Sequence, residues 1–323
     1  MNQVGLISAI RMTGHEKPIE EGWNDINKWH TEDGLLWIHL DYKSKESHRW
    51  LHLKSRLDTS VLEALLAEDT RPRFFIHGPG LLIIMRGINL NPGSEPDDMV
   101  SLRVWIEPGR IISMRHRKVM AVDDLRMEIL NGEGPKTEGD FLAQLTRKLS
   151  LRMAESLDNL SERVDELEEL VFGQQDKPLR TVISELRRQI IGLRRYLIPQ
   201  KDVFERIQIE KIAWITPADQ AILRETSDRL TRYVEDLNAA RERTAVVQDE
   251  LESQMASRMN QTMYLLSIVT AIFLPLGLFT GLLGINVGGI PGTENPHAFL
   301  FVCSFLTGIA ILQFLIFRRI RWI

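Results

Sequence analysis

Near the end of the chain lie two long runs with no charged side chain. Residues 263–283 read MYLLSIVTAIFLPLGLFTGLL and residues 298–317 read AFLFVCSFLTGIAILQFLIF. About 20 helical residues cross the ~30 Å hydrocarbon core of a bilayer, and both runs have that length. A core helix of a soluble protein does not need so long a charge-free stretch. The runs are therefore read as transmembrane helices. Arg258 precedes the first; Arg318, Arg319 and Arg321 follow the second, with Trp322 as an interface aromatic. The connecting segment, residues 284–297, has no Lys or Arg. The excess of positive charge on cytoplasmic flanks then places both chain ends in the cytoplasm and the short connection outside. The opening MNQVGLISAIRMTGHEKP lacks the basic start and apolar core of a signal peptide, in keeping with a cytoplasmic N-terminus.

The average composition hides this. The 323 residues are 26% charged with net charge −4, which reads as soluble, because the charge is concentrated before residue 259. Between Arg258 and Glu294 there is none. Acidic and basic residues balance, so nucleic-acid binding has no support. The one cysteine, Cys303, sits in the second span, so the chain has no internal disulfide.

Upstream of the first span a single long helix is predicted. Thr216-Pro217-Ala218-Asp219 is a helix start, with Thr216 as cap, proline in the first turn and a carboxylate at the positive end. No Gly or Pro follows until Pro275. Apolar residues recur with the helical period through Ile222, Leu223, Leu230, Tyr233, Leu237, Ala240, Val247, Leu251, Met255 and Met259. One helix over 217–283 would span roughly 100 Å and carry a cytoplasmic stalk into the membrane, with Pro275 as a kink inside the span. Residues 139–172 and 179–197 are further helical patterns, the second ending before Pro199. The first carries Glu155, Asp158, Glu162, Asp165, Glu166, Glu168 and Glu169, a solvated face or, with several copies around an axis, a cation-attracting ring.

Residues 1–138 differ in character. Strand-like runs at 35–40, 80–90, 99–108 and 110–117 are rich in Val, Ile, Leu and aromatics and are bounded by turns such as HGPG and EPGR. Helical patterns occur at 45–54, 60–66 and 120–130. The expected fold is an α+β cytoplasmic domain with a mostly antiparallel sheet and flanking helices (1–138). It is followed by helical stalk and packing helices (139–262), span one (263–283), the outer loop (284–297), span two (298–317) and a cytoplasmic tail (318–323).

Catalytic and nucleotide-driven classes find no footing. There is no G-x-x-x-x-G-K-[ST] loop, no H-E-x-x-H, and no Ser/His/Asp or paired-carboxylate arrangement. His48 and His52 share a helix face at metal-ligand spacing, the one weak metal candidate. The preferred reading is two exposed polar residues beside Trp50. No cofactor is expected. In the first span Met263, Ser267, Thr270, Leu274, Gly277 and Thr280 fall on one helix face. This face is uncharged and mixes small, hydroxyl and flexible apolar groups. It either lines a pore for a largely hydrated ion or packs against another helix. Two helices cannot enclose a pore, so a transporter would need several copies around an axis.

After the first span the chain reads Leu283-Gly284-Ile285-Asn286 and continues Val287-Gly288-Gly289-Ile290-Pro291-Gly292. The Gly284-x-Asn286 tripeptide and the two terminal spans resemble the CorA-like (two-span, Gly-x-Asn) metal-ion transporter family. The Gly-Gly-Ile-Pro tail is similar to its zinc-transporting ZntB branch. The stretch LDTSVLEALLAEDTRPRF at 57–74 is similar to the family's N-terminal segment. The magnesium members read Tyr-Gly-Met-Asn, and this chain departs from them at Leu283 and Ile285. The resemblance implies a funnel-shaped homopentamer in the bacterial inner membrane. Gly284, Ile285 and Asn286 would form the pore-entrance signature, and Glu294, the only charge in the loop, an outer ring that attracts cations. It further implies proton-coupled uptake of Zn2+. The alternatives are a magnesium, cobalt or nickel channel of the same fold, zinc efflux, and a membrane-anchored sensing protein with a sealed pore.

Overall fold

The computed structural model describes residues 4–13, 17–173, 179–285, 290, 292 and 295–319. They divide into two compact units, Met1–Gln248 and Asp249–Ile323.

The first unit is built on a seven-stranded sheet of β1 (Leu6–Met12), β2 (Ile19–Glu20), β3 (Leu35–Asp41), β4 (Arg73–His77), β5 (Gly80–Gly87), β6 (Val100–Glu107) and β7 (Arg110–Arg115). The order across the sheet is β2-β1-β3-β7-β6-β5-β4. Every neighbouring pair is antiparallel except β3 with β7, which run parallel with Leu36 opposite Arg110 and Asp41 opposite Arg115. The mostly antiparallel expectation holds, and this parallel seam is the exception. β6 and β7 join through the predicted EPGR turn, where Gly109 takes φ +80°, a conformation that Gly adopts without a Cβ penalty.

Strand β3 is buried on both faces, and its alternation assigns the layers. Leu36, Ile38 and Leu40 point into a core with Trp50 and Leu51 of α2 (Lys45–Leu53) and Val61, Leu62 and Leu65 of α3 (Thr59–Leu66). On the opposite face Trp37 meets Phe141 of α5 (Glu138–Phe172), ring centroids 5.1 Å apart. The short α1 (Trp23–Ile26) adds Ile26 to the first core, and α4 (Met120–Leu130) packs on α5. The helices start where capping chemistry permits. Ser44 accepts from the Glu46 amide, Asp58 from Ser60 and Thr137 from Asp140.

Helix α6 (Leu179–Ile207) corrects one expectation, because it passes through Pro199 rather than ending before it. Tertiary contacts on both sides of the proline offset the lost helical hydrogen bond. Leu197, Val203, Phe204 and Ile207 are all buried. Between them the Gln200 amide is clamped to the β5 backbone. Its Oε1 accepts from the Arg86 N–H at 2.6 Å, and its Nε2 donates to the Arg86 carbonyl at 3.2 Å. β4 pairs with β5 only as far as Ile84, so the glutamine takes the place of a strand partner at Arg86.

Helix α7 (Pro217–Gly284) is continuous over its 68 residues, as the sequence predicts. At its start Thr216 Oγ1 accepts from the Asp219 N–H at 3.3 Å, while Asp219 Oδ2 accepts from the Thr216 N–H at 2.9 Å, a reciprocal cap. Within the first unit Leu223, Leu230, Val234, Leu237, Ala240 and Val247 are buried at helical spacing. The second unit holds the end of α7 and helix α8 (Ala298–Arg319). Both helices pass the length and hydropathy requirements of a membrane span and leave large apolar side chains exposed.

Candidate functional site: the uncovered face of the first membrane helix

The two membrane helices touch along one face of each. On α7 the partly covered residues are Ile268, Ala271, Ile272, Pro275, Leu276 and Phe279, at steps of three and four. On α8 they are Ala298, Val302, Leu306, Ile309, Ala310, Gln313 and Phe317. Phe279 meets Phe305 edge-on at 5.3 Å, and Gln313 Nε2 donates to the Ala271 carbonyl at 3.2 Å. At about 100° per residue, the face of Met263, Ser267, Thr270, Leu274, Gly277 and Thr280 lies roughly opposite. All six are exposed in the single chain, and a Cβ added at Gly277 would meet no atom within 4 Å.

The three hydroxyls on this face share one geometry. Ser267 Oγ donates to the Met263 carbonyl at 2.8 Å, Thr270 Oγ1 to Leu266 at 2.8 Å and Thr280 Oγ1 to Leu276 at 2.9 Å. A hydroxyl has one proton, and here each is committed to its own helix. What remains toward the open side is a pair of lone pairs. Water around a cation turns its hydrogens outward, so such oxygens can accept from a hydrated cation and need not replace its shell. The same bonding also satisfies a hydroxyl in hydrocarbon, so it is compatible with helix packing too.

The remaining candidates are placed as follows. Gly284 is the last residue of α7, and Ile285 follows it, exposed. Asn286 and Glu294 lie outside the described residues. His48 and His52 are both on α2, but His48 Nε2 is 2.6 Å from the Tyr42 carbonyl, to which it donates, and among the described residues no third ligand joins them. Among the described residues no three His, Cys, Asp or Glu side chains gather closely enough to hold a metal ion. The acidic run on α5 is partly neutralised. Arg243 of α7 forks onto Glu168 at 2.8 and 2.6 Å and also pairs with Asp165. The guanidinium hydrogen bonds hold the Glu168 carboxyl below its ordinary range, and the two carboxylates raise the Arg243 pKa. Gln313, the polar residue on the α8 side of this contact, is not among the residues singled out from the sequence. Its signal was available: it is the only amide in the second span.

Residues 32–319 match the family described as CorA-like Mg2+ transporter protein. The chain belongs to this family. It is thus a divalent-cation transporter rather than an enzyme, and its two apolar helices are those of a membrane transporter. The chain is 42% identical over 290 residues to the divalent cation transporter CmaX of Pseudomonas aeruginosa, covering 89% of this chain and 87% of that protein. It is 39% identical over 302 residues to the zinc transport protein ZntB of Pectobacterium carotovorum, covering 94% of this chain and 91% of that one. The solved structure of full-length CmaX superposes with a TM-score of 0.87 at 40% identity, covering 100% of this chain and 99% of the other. The CorA-family fold therefore extends over the soluble sheet, the long helix and both apolar helices.

Proposed function

We propose that this CorA-family chain transports Zn2+ across the bacterial inner membrane through a pore formed by five copies, in the uptake direction and coupled to protons. The observation that carries the pore is the face of Ser267, Thr270, Gly277 and Thr280, which is charge-free, opposite the α8 contact, and lined by hydroxyls with only lone pairs to offer. One chain has two membrane helices and cannot surround a path, so this face becomes a pore only around a symmetry axis. Asn286 would place an amide oxygen at the outer mouth, and Glu294 would raise the local cation concentration there. Arg258, Arg318 and Arg319 favour cytoplasmic ends.

Zinc is supported by the 39% identical relative named a zinc transport protein and by the Gly288-Gly289-Ile290-Pro291 tail. A second reading, a magnesium, cobalt or nickel channel of the same fold, is favoured by the hydroxyl lining. Oxygen is a hard ligand and suits hydrated Mg2+ at least as well as Zn2+. Zinc efflux needs only the opposite driving gradient.

The test is purified full-length protein in liposomes loaded with a zinc-sensitive dye, with and without a pH gradient, beside Mg2+, Co2+ and Ni2+ controls. Zinc influx that grows when the side of zinc addition is made acidic supports the proposal. Zinc flux that ignores the gradient removes proton coupling. Flux of the other metals without zinc establishes the second reading.

A further inference from the structure

Helix α7 runs through Pro275 without interruption. In an α-helix the N–H of residue 275 would bond the carbonyl of residue 271, but proline has no N–H. The Ala271 carbonyl therefore lacks its helical donor, at a depth where no lipid group can supply one. An unsatisfied backbone group in hydrocarbon costs several kcal/mol. The partner comes from the other helix: Gln313 Nε2 donates to the Ala271 carbonyl at 3.2 Å. On its own helix Gln313 is the one polar residue of the contact face, between Leu306, Ile309 and Phe317. Its Oε1 is buried with no partner among the described residues. A side chain that leaves one end unpaired is stabilised here mainly by what its other end does.

We propose that Gln313 is a positioning residue of the transport path. Its amide takes the place of the missing proline N–H at Ala271 and so fixes the course of α7 across Pro275. Thr270 lies one residue before the carbonyl it serves, and Leu274 and Gly277 lie beside the proline. The rotation of those residues about the helix axis depends on how the helix passes Pro275. The assignment rests on the reading that their face lines the pore.

Simple adhesion between the two helices would also make Gln313 useful, and the proline separates the two roles. Pro275→Ala gives residue 275 an N–H, so Ala271 regains a helical partner and Gln313 becomes redundant. The experiment compares wild type, Gln313→Leu, Pro275→Ala and the double variant, each full length. Zn2+ influx into liposomes is read by an encapsulated dye, and thermal midpoints and assembly size are measured in detergent. Gln313→Leu is expected to lower the maximal rate about three- to thirtyfold, the range that intramembrane hydrogen bonds of this kind span. The double variant is expected within about twofold of Pro275→Ala, below the three- to thirtyfold range just given. Wild-type flux in Gln313→Leu, or equal loss in both backgrounds, overturns the proposal. If Gln313→Leu does not assemble, restored assembly in the double variant supports it, and failure of the double variant as well overturns it. If wild type itself carries no Zn2+, the transport reading fails separately. The thermal midpoints then decide, with a Gln313→Leu loss confined to the proline background supporting the assignment and additive losses overturning it.

Discussion

Thr270→Val isolates the chemistry of the uncovered α7 face. Valine keeps the shape and the β-branch and removes only the hydroxyl. The backbone loses little, because the Leu266 carbonyl that accepts from Thr270 Oγ1 at 2.8 Å also accepts the helical N–H of residue 270. Stability should change by less than about 0.5 kcal/mol, as for surface substitutions away from special features. Transport should change much more. A hydrogen bond to a charged partner contributes about 1.5–3 kcal/mol net. Water polarised by a divalent cation stands at the lower end of that range. Losing such a bond at the highest point of the path raises the barrier by about 1.4 kcal/mol and slows flux about tenfold. The assay is initial Zn2+ influx into liposomes at saturating metal, normalised to assembled protein. The internal control is Thr307→Val on α8. Its hydroxyl makes the same bond, to the Cys303 carbonyl at 2.8 Å, but stands off the face that meets α7. Equal flux in the two variants would refute the assignment of the α7 face.

Other consequences are checked in the same preparation. Glu294→Gln should raise the zinc concentration for half-maximal flux, more at low ionic strength than at high; an unchanged concentration dependence removes the outer ring. Gln200→Leu leaves the Arg86 N–H and carbonyl without their amide partners and should destabilise the first unit by about 2–4 kcal/mol in urea unfolding, whereas a loss below about 0.5 kcal/mol would show that the clamp is not needed. Burial, reinforced by Arg115 and Arg126, pushes the His39 pKa from 6.5 down to about 3. Between those values the unfolded chain binds more protons than the folded one, so stability should fall as pH drops from about 6.5 toward 3, at up to about 1.4 kcal/mol per pH unit. His39→Asn should flatten this slope between pH 6.5 and 5, and an unchanged slope would contradict the assignment.

The parts legible in the sequence were those governed by local pattern. The two spans follow from the absence of charge over a bilayer's length. Helix α7 follows from the Thr216–Asp219 start and the lack of Gly or Pro before Pro275. Strands β3, β5, β6 and β7 stood out because they are long and apolar. β1 and β4 escaped because LISAIRM is interrupted by Ser8 and Arg11, and RFFIH is short. What the sequence could not convey depends on partners distant along the chain. The parallel seam of β3 and β7 joins residues more than 70 positions apart. Helix α6 survives Pro199 because of a strand backbone 114 residues away. Gln313 looks like an isolated amide until Ala271, 42 residues earlier, is placed beside it.

The central claim, that the α7 face opposite α8 is the wetted path, is tested most directly by thiol accessibility. Cys303 is the sole cysteine, so Cys303→Ser gives a thiol-free background. Into it go single cysteines at Ser267, Thr270 and Gly277 on one side and at Ile268, Ile272 and Leu276 on the other. The assembled protein in liposomes is then treated with a membrane-impermeant, charged thiol reagent. The first three positions are expected to react and to lose metal flux, while the second three stay unreactive with flux intact. Reaction at Ile268, Ile272 and Leu276 with protection at Ser267, Thr270 and Gly277 would contradict the pore face outright.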